Sequence, residues 1–487
     1  MALSLLERVQ AWLFRALMGA LFGLFQALSS RTCDRRKLPP IENPLLTLSA
    51  VQLARKIRRR EVTSLEVVQA YIDRIQEVNP LINAMVKDRF AAALQEASQV
   101  DKLIEEETGG EEVLADRLPL LGVPLSVKES FALQGMPQTT GLVSRRGVVA
   151  VVDAPPVALL KRAGAIPLGV TNTSELCMWS ESHNHLYGIT RNPYDLERVP
   201  GGSSGGEGSL LASAGAVIGV GSDIGGSIRM PCFFNGIFGH KTTSGLVSSD
   251  NQHPPVSGRF EEYLSLGPMC RYAEDLLPML QIMAGPNAHR LSLSEKVDLK
   301  KLRFFTVPHD GGSVMTSPVD SQLLQVQRQP PQRFGDLLGT PGHPVWPVWE
   351  LVKWMVGKSD HTMAAIGLAM IEKAQPAAAP ASILRHKEKL QREVEELLGA
   401  DGVLLYPTHP NVAPKHHHPL FRPFDFAYTG IINILGLPVT QVPLGLSREG
   451  LPMGVQLIAG KLQDRLPLAL ALHLERSFGG WRDPGAK

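Results

Sequence analysis

The chain has 487 residues, of which 44% are hydrophobic and 20% are charged, so it can bury one large core or two ordinary ones. This composition excludes a disordered polymer. Its 49 Lys and Arg residues nearly balance its 47 Asp and Glu residues. Because nucleic-acid binding needs an excess of positive charge on one surface, the balance argues against a nucleic-acid partner.

Cysteine spacing excludes the common cysteine-based sites. The chain contains four cysteines, Cys33, Cys177, Cys232 and Cys270, and none belongs to a Cys-x-x-Cys pair. Structural zinc sites and disulfide frameworks both use closer spacings. We therefore expect free, buried thiols.

An apolar run near the N-terminus, residues 11–28, contains only Arg15 and Gln26 as polar residues. It is slightly shorter than the roughly 20 residues that span a bilayer comfortably, and it lacks a clear small-residue cleavage site. We interpret it as an uncleaved, single-pass membrane anchor. A signal peptide and an amphipathic helix in the membrane interface are the alternatives, and both are compatible with Arg15 reaching the headgroups.

Basic residues are concentrated after this run. Four lie between positions 31 and 37, against two before or within the run, which favours a cytosolic location for the rest of the chain. The endoplasmic reticulum and the lipid-droplet surface are both compatible with so short an anchor. We divide the chain into an anchor with its connector, residues 1–40, and one large domain, residues 41–487.

Two amphipathic helices are predicted next. Leu53, Ala54 and Ile57 share one face of the first, and apolar residues between positions 67 and 75 form the stripe of the second. Thr63 and Glu66 have the spacing of a capping box at the start of the second helix. We expect both helices at the periphery.

Short apolar or β-branched runs then alternate with helical or Gly-rich segments. The runs are "GVPLSV" at 122, "AIPLGV" at 165, "AVIGVG" at 216, "LRFFTV" at 302, "GVLLY" at 402 and "GVQLIA" at 454. This alternation predicts an α/β fold with a mixed central β-sheet covered by α-helices.

Three tryptophans, Trp346, Trp349 and Trp354, lie in an apolar segment at residues 345–356. A core helix is one interpretation. A membrane-facing surface or the mouth of an apolar channel is the other, because tryptophan rings are amphipathic.

Two glycine-rich patches between residues 199 and 236 contain serines but no histidine. The candidate serines are Ser203, Ser204, Ser222 and Ser227. A serine hydroxyl is a poor nucleophile at neutral pH and needs a base. A lysine can serve as that base once loss of solvent lowers its pKa.

Lys128 is the candidate base, because it ends the run "GVPLSVKES" and a strand would deliver it to the edge of the core. A solvent-exposed lysine at the strand end is the simpler interpretation of this run alone. The segment between the two serine patches is long enough for a short helix and a returning strand. That arrangement would bring both patches to one sheet edge, where Ser203 would relay a proton between Lys128 and Ser227.

The backbone N–H groups of Ile224, Gly225, Gly226 and Ser227 are candidates for an anion-binding nest, because glycine permits close approach and unusual dihedrals. A nucleophile lies beside its oxyanion hole. We therefore prefer Ser227 to Ser203 as the attacking residue.

The stretch "GGSSG" at 201 also satisfies G-x-S-x-G, the nucleophile elbow of α/β-hydrolases. It would make Ser203 the nucleophile and require a downstream histidine such as His416, His417 or His418. An elbow follows a strand, and "NPYDLERVP" does not have a strand pattern. The three histidines are also candidate metal ligands, although adjacent histidines on a Pro-flanked loop are usually solvated.

Together, "GVPLSVKES", "GGSSGGEG" and "GSDIGGSIR" resemble the signature of the amidase signature family. The segments "ELCMWSES", "GPMCRYAEDL", "YPTHPNVAPKHH" and "FDFAYTGIINILGLPVTQVPLG" are similar to members of that family that act on fatty-acid amides. The resemblance covers nearly the whole chain. It implies the amidase signature fold with an N-terminal hydrophobic anchor helix.

The resemblance further implies a Ser-Ser-Lys triad. Ser227 would be acylated, Ser203 would bridge, and Lys128 would act as general base and acid. A cis peptide bond between Gly202 and Ser203 belongs to the same pattern.

Other roles also follow from the resemblance alone. Residues 224–227 would donate to the oxyanion, and Ser204 would support the network. Met178 would lie beside the substrate, with Trp179 helping to line the acyl pocket.

The implied reaction is hydrolysis of primary fatty-acid amides and N-acyl ethanolamines to a fatty acid and ammonia or an amine. It needs no metal and no other cofactor. The expected partners are the amide substrate and membrane lipid, and a homo-oligomer is compatible with the sequence.

One stretch departs from the family pattern. Relatives carry a longer passage where this chain has only "QVQRQPPQRF", near residues 320–335. The candidate triad lies outside this stretch, but the shortening leaves a hypothesis from another class: a catalytically silent membrane protein that keeps the fold for partner binding. The intact Lys128, Ser203 and Ser227 argue against it.

Overall fold

The computed structural model describes residues 36–307, 351, 353–354, 357–373 and 381–486. Its helices are α1 (Ala50–Arg58), α2 (Ser64–Ile82), α3 (Phe90–Glu106), α4 (Gly110–Arg117), α5 (Pro155–Arg162), α6 (Gly205–Ala212), α7 (Arg229–Asn235), α8 (Arg259–Tyr263), α9 (Leu276–Ala284), α10 (Met363–Lys373), α11 (Ala381–Leu398), α12 (Ala427–Leu435) and α13 (Arg465–Phe478). Its strands are β1 (Met85–Asp88), β2 (Pro124–Lys128), β3 (Ile166–Thr171), β4 (His183–Asn184), β5 (Gly188–Ile189), β6 (Ile218–Asp223), β7 (Phe238–Lys241), β8 (Ser265–Cys270), β9 (Arg303–Thr306), β10 (Gly402–Tyr406), β11 (Val439–Leu446) and β12 (Pro452–Ala459).

Ten of these strands form one sheet in the order β1-β3-β2-β6-β8-β7-β11-β12-β10-β9. Strand β2 is parallel to β3 and β6, and β9 is parallel to β10. The other neighbouring pairs in this sheet are antiparallel. The predicted α/β fold with a mixed central sheet flanked by helices is therefore confirmed.

All six apolar runs lie in this sheet, as β2, β3, β6, β9, β10 and β12. The sequence did not predict β7, β8 or β11. Strand β8 contains Gly267 and Pro268, and β11 contains Pro443 beside an irregularity in its register with β12. Glycine and proline interrupt the local pattern from which a strand is predicted. Pairing with neighbouring strands, rather than local propensity, stabilises these strands.

The two predicted N-terminal helices are α1 and α2. Reciprocal capping boxes begin both: Ser49 with Gln52 for α1, and Thr63 with Glu66 for α2. Each satisfies backbone N–H groups that the first turn leaves without an intrahelical partner.

Strands β2, β3 and β6 are buried along their whole length, as are β7 and β8. Strands covered on both faces read as continuous apolar runs, which explains why the sequence identified the first three, whereas polar residues, glycine or proline interrupt the pattern of β7 and β8. Helix α6 is also buried along all eight residues. The Gly-Ser loop before it is therefore fixed against the sheet rather than exposed to solvent.

Among the described residues, no helix is both long enough and apolar enough to cross a bilayer. The predicted anchor at residues 11–28 lies outside the described residues. So do the shortened stretch near 320–335 and the Trp-rich segment, apart from Leu351, Lys353 and Trp354. Of the cysteines, Cys177, Cys232 and Cys270 are free and buried as expected.

Candidate active site

A hydrogen-bonded network surrounds the amine of Lys128 at the end of β2. Nζ donates to Ser203 Oγ at 2.6 Å and to Ser222 Oγ at 2.9 Å. Lys128 is completely buried, so the interpretation of a solvated strand-end lysine is wrong. The structure brings the candidate base and the candidate bridging serine into direct contact.

The parallel pairing of β2 with β6 explains why Lys128 and Ser222 meet. Val127 is in register with Val220, and both strands end at the same edge of the sheet. Helix α6 and β6 are the short helix and returning strand that the sequence predicted between the two serine patches. The role of Ser222 was missed, because its contact with Lys128 depends on this register.

Ser182 holds the backbone around Ser203. Its hydroxyl lies 3.1 Å from Gly201 O and 3.2 Å from Ser203 O, and it accepts the Gly205 N–H at 2.9 Å. The Gly202–Ser203 peptide bond is cis, as the family resemblance implied. A Cβ on Gly202 would lie 2.2 Å from Trp179 O, so this position has room only for glycine.

Ser227 lies between the sheet edge and α7, and 8% of its surface is exposed. The Ser204 N–H donates to Ser227 O at 3.2 Å, and its hydroxyl donates to Ser222 O at 3.5 Å. Ser204 thus joins the two serine patches. Within the described part of the chain, no hydrogen bond joins the hydroxyls of Ser203 and Ser227.

Residues 224–227 form the loop before α7. The Gly226 N–H, one of the four predicted oxyanion donors, donates to Asp223 Oδ1 at 2.7 Å in this geometry. The N–H groups of Ile224, Gly225 and Ser227 donate to no acceptor in the described residues. Three of the four candidate donors therefore remain for a bound anion.

Gly226 is required by the shape of this loop. Its φ is +127°, and a Cβ there would lie 2.1 Å from Thr429 Oγ1. The Thr429 hydroxyl itself lies 2.6 Å from Gly225 O. The side chain from α12 thus fixes the loop from outside.

Asp223 anchors the same loop from inside. Burial alone would raise the pKa of its carboxyl, but the Arg229 guanidinium, 2.8 Å away, holds that pKa well below its usual range. Asp223 also accepts the Ile228 N–H at 3.0 Å. A fully buried ion pair therefore fixes the start of α7, beside Ser227.

Burial lowers the pKa of Lys128 from its ordinary 10.5, and nearby Cys177 and Asp223 offset part of this effect. Glu207 on α6 adds a further, smaller offset. Burial raises the pKa of the Glu207 carboxyl to about 7, and that group accepts hydrogen bonds from Ser126 at 2.6 Å and Thr171 at 2.7 Å. Loss of solvent thus favours the neutral amine that a general base requires.

The two predicted substrate residues lie on the loop before Ser182. Met178 is 37% exposed and Trp179 is half-buried. Leu176 and Cys177, just before them, have positive φ values of 53° and 59°. The loop therefore approaches Gly202 through an unusual backbone path.

The rival assignments do not fit the geometry. In the described chain the segment leading into Gly201 is not a strand, and Ser203 contacts a lysine rather than a histidine. No group of His, Cys, Asp or Glu in the described residues could hold a metal ion. His416 instead contacts Glu181, with 2.6 Å between Nδ1 and Oε1.

A cavity of about 1630 Å³ lies elsewhere, between the end of α2, β1 and residues 415–418. Its lining includes none of Lys128, Ser203 or Ser227. We therefore assign the candidate chemistry to the hydrogen-bonded network and not to this cavity.

The site combines a buried lysine with paired serines and an N–H-rich loop, the set of groups that the resemblance to the amidase signature family implied. Residues 66–325 and 356–468 match the amidase family, so the chain belongs to that family and is an amide-hydrolysing enzyme. The match does not include residues 326–355.

Individual relatives are similar over the full chain. It is 63% identical to fatty-acid amide hydrolase 2-A of Danio rerio over 526 aligned positions, covering 100% of this chain and 99% of that protein. It is 50% identical to fatty-acid amide hydrolase 2 of Homo sapiens, with 100% of both covered. A solved structure of fatty acid amide hydrolase has a TM-score of 0.70 at 22% identity, over 90% of this chain and 86% of that one, which shows a common fold.

Proposed function

We propose that the chain hydrolyses fatty-acid amides, both primary amides and N-acyl ethanolamines, through a Ser227 acyl-enzyme. The observation that carries the proposal is the 2.6 Å contact between buried Lys128 Nζ and Ser203 Oγ. The names of the relatives at 63% and 50% identity support the choice of a fatty-acid amide as substrate.

In the acylation step, neutral Lys128 takes the proton of Ser203 while Ser203 takes the proton of Ser227. Ser227 Oγ then attacks the amide carbonyl carbon. The transfer needs a rotation that brings the Ser203 and Ser227 hydroxyls together, since they are not hydrogen-bonded in the resting geometry. Burial supports this role for Lys128, because it favours the unprotonated amine.

Negative charge then develops on the substrate oxygen. We assign its stabilisation to the N–H groups of Ile224, Gly225 and Ser227. Gly226 keeps its N–H on Asp223 and serves to shape the loop. Donors fixed before the reaction stabilise the transition state at little reorganisation cost.

The same relay completes the cycle. The Lys128 ammonium returns its proton through Ser203 to the leaving nitrogen, and the C–N bond breaks to release ammonia or an amine. Water then attacks the acyl-enzyme while Lys128 accepts its proton through Ser203. The bond between the acyl carbon and Ser227 Oγ breaks, Lys128 returns the proton through Ser203 to Ser227 Oγ, and the fatty acid is released. Each residue of the proposed triad therefore acts in both half-reactions.

Delivery of an apolar substrate is the second part of the proposal. We assign membrane attachment to residues 1–40, with residues 11–28 as anchor, and catalysis to residues 41–487. Met178 and Trp179 would contact the acyl chain as it leaves the bilayer. An anchored enzyme avoids moving a long acyl chain through water, where its exposed methylene groups are unfavourable.

The test is hydrolysis of oleamide by purified full-length protein beside Ser227→Ala and Lys128→Ala. We expect activity in the parent, none in Ser227→Ala, and a loss of about 10²–10⁴-fold in Lys128→Ala. A folded, monodisperse parent without amidase activity on any acyl chain would overturn the proposal. That result would favour the catalytically silent alternative.

A further inference from the structure

Two buried glutamates flank the loop that carries Met178 and Trp179. Glu175 precedes these residues and Glu181 follows them, and each glutamate is only 3% exposed. We call residues 175–182 the substrate loop. A carboxylate buried to this extent requires hydrogen-bonding partners.

Both glutamates are held in the same way by distant segments. The His361 Nδ1 lies 2.8 Å from Glu175 Oε1, and the N–H of the next residue, Thr362, donates to Oε2 at 2.9 Å. His416 Nδ1 lies 2.6 Å from Glu181 Oε1, and the N–H of the residue after it donates to Oε2 at 3.1 Å. Each carboxylate thus binds one imidazole and the following backbone N–H.

We call each of these glutamate–histidine contacts, together with its backbone N–H, a clamp. The two clamps attach different parts of the fold to the substrate loop. Thr362 immediately precedes α10, so the first clamp joins the loop to the helix that follows the shortened passage. The second joins it to the loop at residues 415–418. Sequence separations of 186 and 235 residues show that neither contact comes from local chain geometry.

The loop between the clamps contacts the candidate active site directly. The Ser174 hydroxyl lies 2.8 Å from both Trp179 O and Glu181 O, which closes the loop on itself. Trp179 O occupies the space where a Cβ of Gly202 would lie. The last residue of the loop, Ser182, binds Gly201 O and Ser203 O.

From this geometry we propose that the clamps Glu175–His361 and Glu181–His416 are positioning elements that set the acyl-chain preference of the enzyme. They fix Met178 and Trp179 relative to Ser203, and they act on the reaction only through this loop. The inference rests on the proposed function for its substrate. It adds four residues that the proposed triad does not use.

Asparagine is a suitable conservative replacement for both histidines. His416 Nε2 is buried and has no hydrogen-bond partner among the described residues, so Nδ1 makes the contact that matters. An asparagine amide can place a donor near the position of Nδ1. Histidine-to-asparagine variants should therefore keep the clamp, whereas alanine variants remove it.

The experiment compares kcat/KM for hexanamide and oleamide in the parent, His361→Ala, His416→Ala, His361→Asn and His416→Asn. The alanine variants should lose up to about 100-fold on oleamide, the size expected when a reacting group is misplaced by about 1 Å. We expect them to lose less on hexanamide, because a shorter acyl chain offers less surface for Met178 and Trp179 to contact. The asparagine variants should recover most of the preference for oleamide.

The matched control is His240→Asn. His240 Nε2 lies 3.1 Å from buried Asp464 Oδ1, which also accepts the Thr243 N–H at 2.9 Å, so it forms an equivalent contact between β7 and the start of α13. This variant should leave the ratio of the two kcat/KM values unchanged. If the alanine variants lose activity equally on both amides, as a merely destabilised protein would, the inference is wrong.

A second readout does not depend on activity. Hydrogen exchange followed by mass spectrometry should show faster exchange in residues 175–182 of both alanine variants, with slow exchange restored by asparagine. Unchanged exchange in this segment would contradict the positioning role. A parent inactive on both amides but showing the predicted exchange would refute the proposed function while leaving the clamps in place.

Discussion

Two buried lysines end strands of the same sheet, and we compare the chain of serines that each begins. For Lys128 these are Ser203 and Ser227 of the proposed relay, whose hydroxyls are not hydrogen-bonded to each other, and for Lys241 they are Ser265 and Ser244. Lys128 Nζ lies 2.6 Å from Ser203 Oγ, and Lys241 Nζ lies 3.1 Å from Ser265 Oγ. Ser265 Oγ in turn lies 3.2 Å from the hydroxyl of half-buried Ser244. Burial lowers the pKa of both lysines, that of Lys241 to about 7.

The two chains end in different surroundings. Ser227 lies on a loop with three N–H groups that donate to no acceptor in the described residues. Ser244 follows Thr243, whose N–H and hydroxyl are both engaged by Asp464, at 2.9 Å and 2.6 Å. A buried lysine beside serines therefore identifies a possible base, whereas catalysis also needs free donors and a place for the substrate.

The largest predicted effect separates the two terminal serines. Ser227→Ala should lower kcat on oleamide by about four orders of magnitude or more, the loss seen when a nucleophile is removed. Ser244→Ala should leave kcat close to that of the parent. Comparable losses in both variants would mean that the comparison between the chains is wrong.

Replacing the lysines should separate activity from stability. Lys128→Met should lower kcat by about 10²–10⁴-fold, because the serine relay loses its base. Lys241→Met should retain kcat in the folded fraction. Steady-state kinetics on oleamide, normalised to folded protein by circular dichroism, would check both. An active Lys128→Met enzyme would remove the basis of the proposed mechanism.

The shape of the loop at residues 224–227 can be tested by substitution. Gly226→Ala should lower the free energy of unfolding by about 3 kcal/mol, because the new Cβ meets Thr429 Oγ1 and the positive φ becomes strained. Urea unfolding would measure the loss. Gly245→Ala is a suitable control, since its φ is +78° but no atom lies within 4 Å of the added Cβ. Equal losses in the two variants would show that the close contact has no effect.

The depressed pKa of Lys241 has a consequence for stability. The ordinary value is 10.5 and the folded value is about 7, so the unfolded chain binds the extra proton between these limits. The stabilisation of the folded state that comes from keeping Lys241 neutral is therefore fully present above pH 10.5 and is lost as the pH falls towards 7. Urea unfolding from pH 7.5 to 9.5 should show the parent gaining stability relative to Lys241→Met, and a constant difference would contradict the assignment.

The smallest predicted effect concerns pH and activity. Below the lowered pKa of Lys128 the base is protonated, so kcat/KM should rise with pH through that value. Burial lowers the pKa of Lys128, and Glu207 is one of several nearby groups whose negative charge partly offsets this effect. Glu207→Gln should therefore move the rising limb to lower pH. A limb that moves to higher pH would contradict this electrostatic account.

Local patterns explain which parts of the site were predictable. Lys128, Ser203 and the helix and strand between the serine patches follow from short apolar runs and Gly-Ser loops. Ser222 required the register of β2 with β6. The hydrogen bond from the Gly226 N–H required the orientation of the Asp223 carboxylate.

The parts that could not be predicted depend on distant residues. Glu175 and Glu181 lie in a segment that carried the family resemblance, but their histidine partners are 186 and 235 residues away. The strands that contain glycine or proline inside them were missed for a related reason. Their stability comes from neighbouring strands, which a local pattern does not report.

The most direct test of the central claim is labelling with a serine-directed fluorophosphonate, with the modified residue located by mass spectrometry. Only a serine activated by a base should react. We predict modification at Ser227 in the parent and in Lys241→Met, and greatly slowed modification in Lys128→Met. Modification at Ser244, or labelling of Ser227 that does not depend on Lys128, would contradict the account.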